Sequence, residues 1–312
     1  MFRIESFLSA RLFLVPQLVG ERLYFVSNLS GHLSLYAMYY GGSVPEPLLP
    51  TNIALHNPHM LDGYSFYVFP KLGKILVMID KDGDENYQPM LIPLEGGFPE
   101  PVFNNHFANY RVHLGECDSE GNLVYLQAES REKSMNEAYR GNLEDNSLIK
   151  LAESEWGANP AGNNEDHTKV LLVDGYTTGD SVLFLLEEGK KRLLFGKPLE
   201  SRAEGEQVPL NGLRSLAFTP SEESLLLITA VFDDKYSLGT LEITQPGELK
   251  PVKVDGVIHT GLGELESISH LKGTRYTVQY NIDGCSWLYE GSYNENKHVM
   301  TLKSCLVGDG DL

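Results

Sequence analysis

Short runs rich in Val, Ile, Leu, Tyr and Phe, each closed by Gly, Asn, Asp or Pro, recur along the 312 residues at a step of about 50, and no apolar stripe at helical spacing is sustained. The fold class that these observations predict is all-β: a β-propeller with about six four-stranded blades visible, because repeats of about 40 to 50 residues with three or four strands each are the size of one blade. A single blade cannot bury both faces of its sheet, so each must pack on its neighbours. A β-sandwich or a jelly roll offers no reason for so regular a step.

The units follow one another in the same order of parts. In the first, a run at residues 23–26 leads through a turn at 28–31 to a second run at 33–38, then to Gly41 and Gly42 and a third run at 47–49. The second has runs at 74–79 and 88–94, the turn 80–84 between them, then Gly96, Gly97 and a run at 101–103. Weaker copies follow at 122–126 with 138–143, at 169–173 with 181–186 and 191–195, at 224–230 with 238–243, and at 274–280 with 285–293 and 299–303. One domain, 1–312, is expected, with blades starting near residues 23, 74, 122, 169, 224 and 274 and these first runs as inner or central strands. Residues 7–18 are expected to add a strand where the propeller closes. Residues 305–312 read as a segment leading away from the sixth unit, which points to a parent of seven blades and a self-associating six-blade arc.

Composition narrows the function. With 25 Lys and Arg against 43 Asp and Glu, the formal charge is −18 and the pI about 4.9, which disfavours a nucleic-acid partner or an anionic membrane surface. The 42% hydrophobic and 22% charged content is that of a globular chain. No run reaches the ~18 apolar residues of a membrane span. At the N-terminus Glu5, Ser6, Ser9 and Arg11 interrupt the apolar residues of a would-be signal peptide, so the chain reads as cytoplasmic. Cys117, Cys285 and Cys305 are too scattered for a disulfide framework or a zinc site and read as reduced, partly buried thiols.

The turn Ser27, Asn28, Gly31, the pair Leu35 and Tyr36, the Gly41-Gly42 and Gly96-Gly97 turns and the 80–85 hairpin together resemble the N-terminal propeller of prolyl oligopeptidase-family serine peptidases, in the acylaminoacyl-peptidase and dipeptidyl-peptidase-like branches. The likeness is sharp over residues 7–103, and related repeats occur in TolB-like propellers. In that family the propeller precedes an α/β-hydrolase domain that carries the serine, aspartate and histidine. A nucleophile elbow needs Gly-x-Ser-x-Gly at a strained strand-to-helix turn. Here Gly63-Tyr64-Ser65 and Gly179-Asp180-Ser181 supply only the first half of that pattern. The resemblance therefore implies the propeller portion of a longer peptidase, with the hydrolase domain of the parent chain as partner and a peptide as the parent's substrate.

Other constellations have plainer explanations. Asp80, Asp82, Asp84 and Glu85 alternate like a calcium loop, but an EF-hand counted from Asp80 would need Gly where Glu85 stands and Glu where Leu91 stands. A tight hairpin with Gly83 at positive φ accounts for them. Ser130 and Lys133 match Ser-x-x-Lys without its companion motifs. His56 and His59 flank Pro58 with no third ligand near. The acid pairs Glu187-Glu188 and Glu222-Glu223 invite comparison with the double glutamate by which dipeptidyl peptidases hold a substrate amine, yet both fall in short turns expected to face water. No catalytic, cofactor-binding or metal residue is assigned, and no cofactor is expected. Two functions remain: a propeller gating peptide access to a hydrolase domain, or a stand-alone TolB-like propeller acting as a protein-binding scaffold. A propeller enzyme with its own site would need clustered ligands or carboxylates at one end.

Overall fold

The computed structural model describes residues 11–60 and 63–308. Its described residues form six sheets, antiparallel but for one short added strand, four short 3-10 turns and no α-helix, and the fold is a β-propeller. The chain divides into two compact units, Met1–Glu155 and Trp156–Leu312, each holding three blades.

In the first unit, blade 1 comprises Phe13–Val19, Arg22–Ser27, Ser34–Tyr39 and Glu46–Pro47, and blade 2 comprises Phe66–Phe69, Lys74–Ile79, Gln88–Pro93 and Glu100–Pro101. Blade 3 is Tyr110–Asp118, Leu123–Ser130, Asn136–Asn142 and Ser147–Ser154. In the second unit, blade 4 is Asn159–Asn163, Lys169–Thr177, Asp180–Glu187 and Lys190–Phe195, and blade 5 is Arg214–Phe218, Ser224–Thr229, Ser237–Glu242 and Leu249–Pro251. Blade 6 has Gly263–Lys272, Arg275–Ile282, Cys285–Asn294 and Val299–Val307, with Lys253–Asp255 added in parallel to the last of these. Strands in every blade are paired in chain order.

The first runs read from the sequence are thus the second strand of each blade, and each blade begins one strand earlier, at residues 13, 66, 110, 159, 214 and 263. The second strands were legible because they are buried on both faces and read as unbroken apolar runs, as in Leu225, Leu226, Leu227 and Ile228. The first strands are mixed in composition, from the Asn159–Asn163 strand with its Pro and Gly to the Glu-bearing Gly263–Lys272 strand. The segment before the first unit does supply a strand: Phe13–Val19 is the first strand of blade 1, paired to Arg22–Ser27, while residues 7–10 lie outside the described residues. The expectation at the other end is corrected. The chain does not leave blade 6 at residue 305. Bulges opposite Leu288 to Gly291 keep the strand paired through Val307, and residues 309–312 lie outside the described residues.

Four apolar clusters hold successive blades together. One joins blades 1 and 2 through Val26, Leu35, Phe66 and Val77, and another joins blades 2 and 3 through Leu76, Phe107, Val112 and Leu126. In the second unit Leu183, Leu185, Leu225 and Leu227 join blades 4 and 5, and Leu226, Ile228, Ile268 and Val278 join blades 5 and 6. Alternate residues of one strand therefore serve two interfaces, as Leu225 and Leu226 show.

The Gly-Gly turns differ in cause. A Cβ on Gly96 would lie 2.6 Å from the Leu48 carbonyl oxygen, and Gly97 N donates to that same oxygen at 2.9 Å, so this pair docks blade 2 onto blade 1. Gly41 and Gly42 meet nothing and are required for their φ of 92° and 108°.

Blade 3 buries a carboxylate. Glu137 Oε2 accepts from the Tyr139 hydroxyl at 2.6 Å and Oε1 from Lys150 Nζ at 2.8 Å. Burial opposes its ionisation, but the hydrogen bonds from Lys150, Tyr139 and Tyr110 outweigh it and hold the carboxyl down at about 2. A depressed carboxylate contributes stability that is full above its ordinary value near 4.5 and is lost as pH falls through the folded value near 2. Glu137→Gln is expected to lower unfolding free energy at pH 7 by roughly 3 kcal/mol, the low end for a broken buried pair, because Lys150 stays 40% exposed. It should also flatten the loss of stability below pH 4.5. Denaturant melts from pH 7 to pH 2.5 check both.

Candidate functional site

The motifs singled out in the sequence do not converge. Asp82 and Gly83 form a tight turn with φ of 56° and 80°. The carboxylates around it fold back on their own backbone: Asp84 Oδ1 accepts from Asn86 N at 2.9 Å and Lys81 N at 3.2 Å, and Asp80 Oδ2 accepts from Glu85 N at 3.3 Å. These bonds hold the Asp84 carboxyl below its usual range. Ser130 Oγ accepts from the backbone of Glu132 and Lys133, while Lys133 Nζ reaches Glu137 at 3.5 Å, so the two do not act as nucleophile and base. His56 packs edge-on to Tyr87, and His59 stands exposed on a 3-10 turn. Ser65 is buried with its hydroxyl unpartnered, and Asp180 binds Arg202 through both oxygens at 2.7 and 2.8 Å. Cys117, Cys285 and Cys305 are half-buried free thiols.

The acid pairs are only partly solvated turns. Glu188 and Gly189 make a two-residue hairpin turn at φ 51° and 73°. Glu222, in contrast, accepts from Asn164 Nδ2 at 2.8 Å and pairs with Lys169 at 3.1 Å, which clamps the first turn of blade 5 to blade 4 and lowers the Glu222 carboxyl.

A concave site of the second unit lies between blades 5 and 6, a cleft of about 520 Å³, within the roughly 300–1,000 Å³ of small-ligand sites. Blade 5 supplies Arg214, the first residue of its first strand, and Lys235, from the loop before its third strand. Blade 6 supplies Glu264, Glu266 and Asp283, with Leu262 at the rim.

Each wall is held in place by identifiable contacts. The segment before Arg214 is fixed by buried Asn211, whose Nδ2 donates to Ser181 O and whose carbonyl accepts from Thr229 Oγ1 and Ala230 N. Gly212 follows with φ 54°, and a Cβ there would stand 2.7 Å from the Tyr236 ring. This lets the Arg214 guanidinium lie 3.6 Å from the ring centroid, a stacked cation–π contact. Tyr236 is in turn tied to blade 6: its N donates to Glu264 Oε2 at 3.1 Å and its carbonyl accepts from Leu265 N at 3.2 Å.

On the other wall, Asp283 and Gly284 form the two-residue hairpin turn of blade 6 at φ 50° and 83°. Asp283 Oδ1 accepts from Leu262 N at 3.2 Å, and Glu266 Oε2 accepts from Gln279 Nε2 at 2.8 Å. Neither Arg214 nor Lys235 has an ion pair among the described residues. The sequence reading missed this cleft because its charges come from four separate turns and strand ends. The one local signal was the Asp283-Gly284 dipeptide between two strand-like runs.

No family model matches the chain, and no curated protein matches it. Solved structures share its fold. A structure from a study of two prolyl endopeptidases superimposes with a TM-score of 0.60 at 11% identity, over 98% of this chain and 46% of that one. A puromycin-hydrolyzing peptidase of Mycobacterium tuberculosis gives 0.62 at 13%, over 93% and 45%. An oligogalacturonate lyase of Vibrio parahaemolyticus gives 0.58 at 12%, over 94% and 78%. The chain thus spans less than half the length of the two peptidases.

Gly263 is the tightest point of the cleft's blade-6 wall, since a Cβ there would stand 1.9 Å from the Asn281 carbonyl oxygen. Gly263→Ala is expected to cost about 1–3 kcal/mol by forcing the two strands apart. Thermal and denaturant melts measure it, and an unchanged midpoint would show that the strands part without penalty.

Proposed function

We propose that this chain is the non-catalytic propeller part of a serine peptidase of the prolyl oligopeptidase family, gating peptide access to an α/β-hydrolase domain carried elsewhere in the parent chain. The observation that carries this reading is one of coverage: the two peptidase structures match this chain over 98% and 93% of its length, while it accounts for only 46% and 45% of theirs. The sequence resemblance over residues 7–103 points the same way, and no Gly-x-Ser-x-Gly occurs in the 312 residues. A cytoplasmic setting without nucleic-acid or membrane partners belongs to the same proposal. The charge of −18 weighs against a nucleic-acid partner, and among the described residues no helix is long and apolar enough to cross a membrane.

The alternative is a stand-alone TolB-like propeller serving as a protein-binding scaffold; its stand-alone part draws support from the oligogalacturonate lyase structure, of which this chain spans 78%. The open reading frame beyond codon 312 separates the two. The peptidase reading expects about 250 further residues containing Gly-x-Ser-x-Gly. It also expects a fluorophosphonate probe to label the full-length product stoichiometrically and leave the 312-residue chain unlabelled, since a hydroxyl without a base and oxyanion hole gains little reactivity. A stop directly after codon 312 overturns it.

A further inference from the structure

We propose that the cleft between blades 5 and 6 binds a short peptide by its two free termini, with Arg214 and Lys235 taking the carboxylate and Glu264, Glu266 and Asp283 taking the ammonium group. The choice of a peptide as ligand rests on the peptidase reading; the charge arrangement does not.

Two cations stand on one wall and three carboxylates on the other, yet no ion pair joins the walls among the described residues. On the blade-5 wall a ring contact holds Arg214, while Lys235 stands exposed at the cleft. Arg214 is stacked on Tyr236, which is itself fastened to blade 6 by a bond from its N to the Glu264 carboxylate and one from Leu265 N to its carbonyl.

Each carboxylate is anchored through one oxygen, Glu264 to Tyr236 N, Glu266 to Gln279 Nε2 and Asp283 to Leu262 N. The second oxygen of each has no hydrogen bond among the described residues. The Asp80 hairpin is the contrasting case, its carboxylates engaged by its own backbone. A cleft with unspent donors on one wall and unspent acceptors on the facing wall is complementary to a zwitterion, whose two ends would complete both sets at once with charge-assisted hydrogen bonds.

Preorganisation adds to this. A guanidinium already laid flat on a ring loses less freedom on binding a carboxylate than a free arginine does. Leu262, 76% exposed at the rim, offers apolar surface to the ligand's backbone stem.

The test is titration calorimetry of the 312-residue chain at pH 7 and low salt with triglycine, triglycinamide and N-acetyltriglycine. Triglycine is expected to bind saturably, and each blocked form to bind at least about tenfold more weakly, the scale of one lost charge-assisted contact. Arg214→Gln should erase the preference for the free carboxylate over the amide, and Glu266→Gln the preference for the free amine over the acetyl form. Absence of saturable binding, or equal binding of free and blocked peptides, overturns the proposal. So does an Arg214→Gln protein that melts normally and keeps the acid-over-amide preference. Should that variant fail to fold, the ligand comparison on the unaltered chain decides alone. The peptidase reading is judged separately by the reading frame beyond codon 312, so a cleft that ignores triglycine leaves that reading standing, and a stop codon there leaves the calorimetry to be judged on its own.

Discussion

A four-stranded blade has two apolar faces and no way to bury both alone, and most of the structure follows from how this is met. The middle strands take almost pure apolar sequence because each residue lies against one neighbouring blade or the other. Leu225 and Leu227 face blade 4, while Leu226 and Ile228 face blade 5's other neighbour, blade 6. At roughly 25 cal/mol per Å² of apolar surface removed from water, such side chains supply the largest favourable contribution to folding. They also make each blade's stability depend on the next. Polar clamps are placed where the turns of adjacent blades meet. Asn211 spans blades 4 and 5 with every polar group of its side chain used, and Glu222 binds Asn164 and Lys169 across the same seam.

The cleft is a product of that packing. The apolar seam between blades 5 and 6 fixes the spacing of the sheets. At the end of the seam where the first strands start, charged residues from both blades line one cleft. Glycines decide how close the backbone comes there. Gly212 admits the Tyr236 ring, and Gly263 admits the Asn281 carbonyl. The backbone is therefore close-packed on both sides of the cleft, and the charged side chains line the space between.

How much of this was legible in the sequence divides along the same physical line. The second strands were readable because burial on both faces leaves an unbroken apolar run. The first strands were not, since the Asn159–Asn163 strand carries Pro160 and Gly162 and the Gly263–Lys272 strand carries Glu264, Glu266 and His270, patterns that a strand buried on both faces would not show. The end of blade 6 differs from the reading because the run was ended at Lys303 and the segment from Cys305 taken as leading away, whereas bulged pairing carries the strand on through Val307. Residues 80–85 were expected to form a tight hairpin, on Gly83 and the broken EF-hand spacing; Asp82 and Gly83 do turn there, within a longer connection between the paired Ile79 and Gln88. The cleft was not readable: its charges lie up to 69 positions apart, from Arg214 to Asp283, and only the docking of two blades brings them to one place.

Native-state hydrogen exchange within the second unit tests most directly whether inter-blade burial governs the structure. If blades 5 and 6 stand only by covering each other, the amides of Ser224–Thr229 and Arg275–Ile282 should exchange through one shared opening, with protection factors within about tenfold of each other and the same denaturant dependence. Blade 6 exchanging about a hundredfold faster than blade 5, with no loss of protection in Ser224–Thr229, would show that the blades fold independently and would contradict the account.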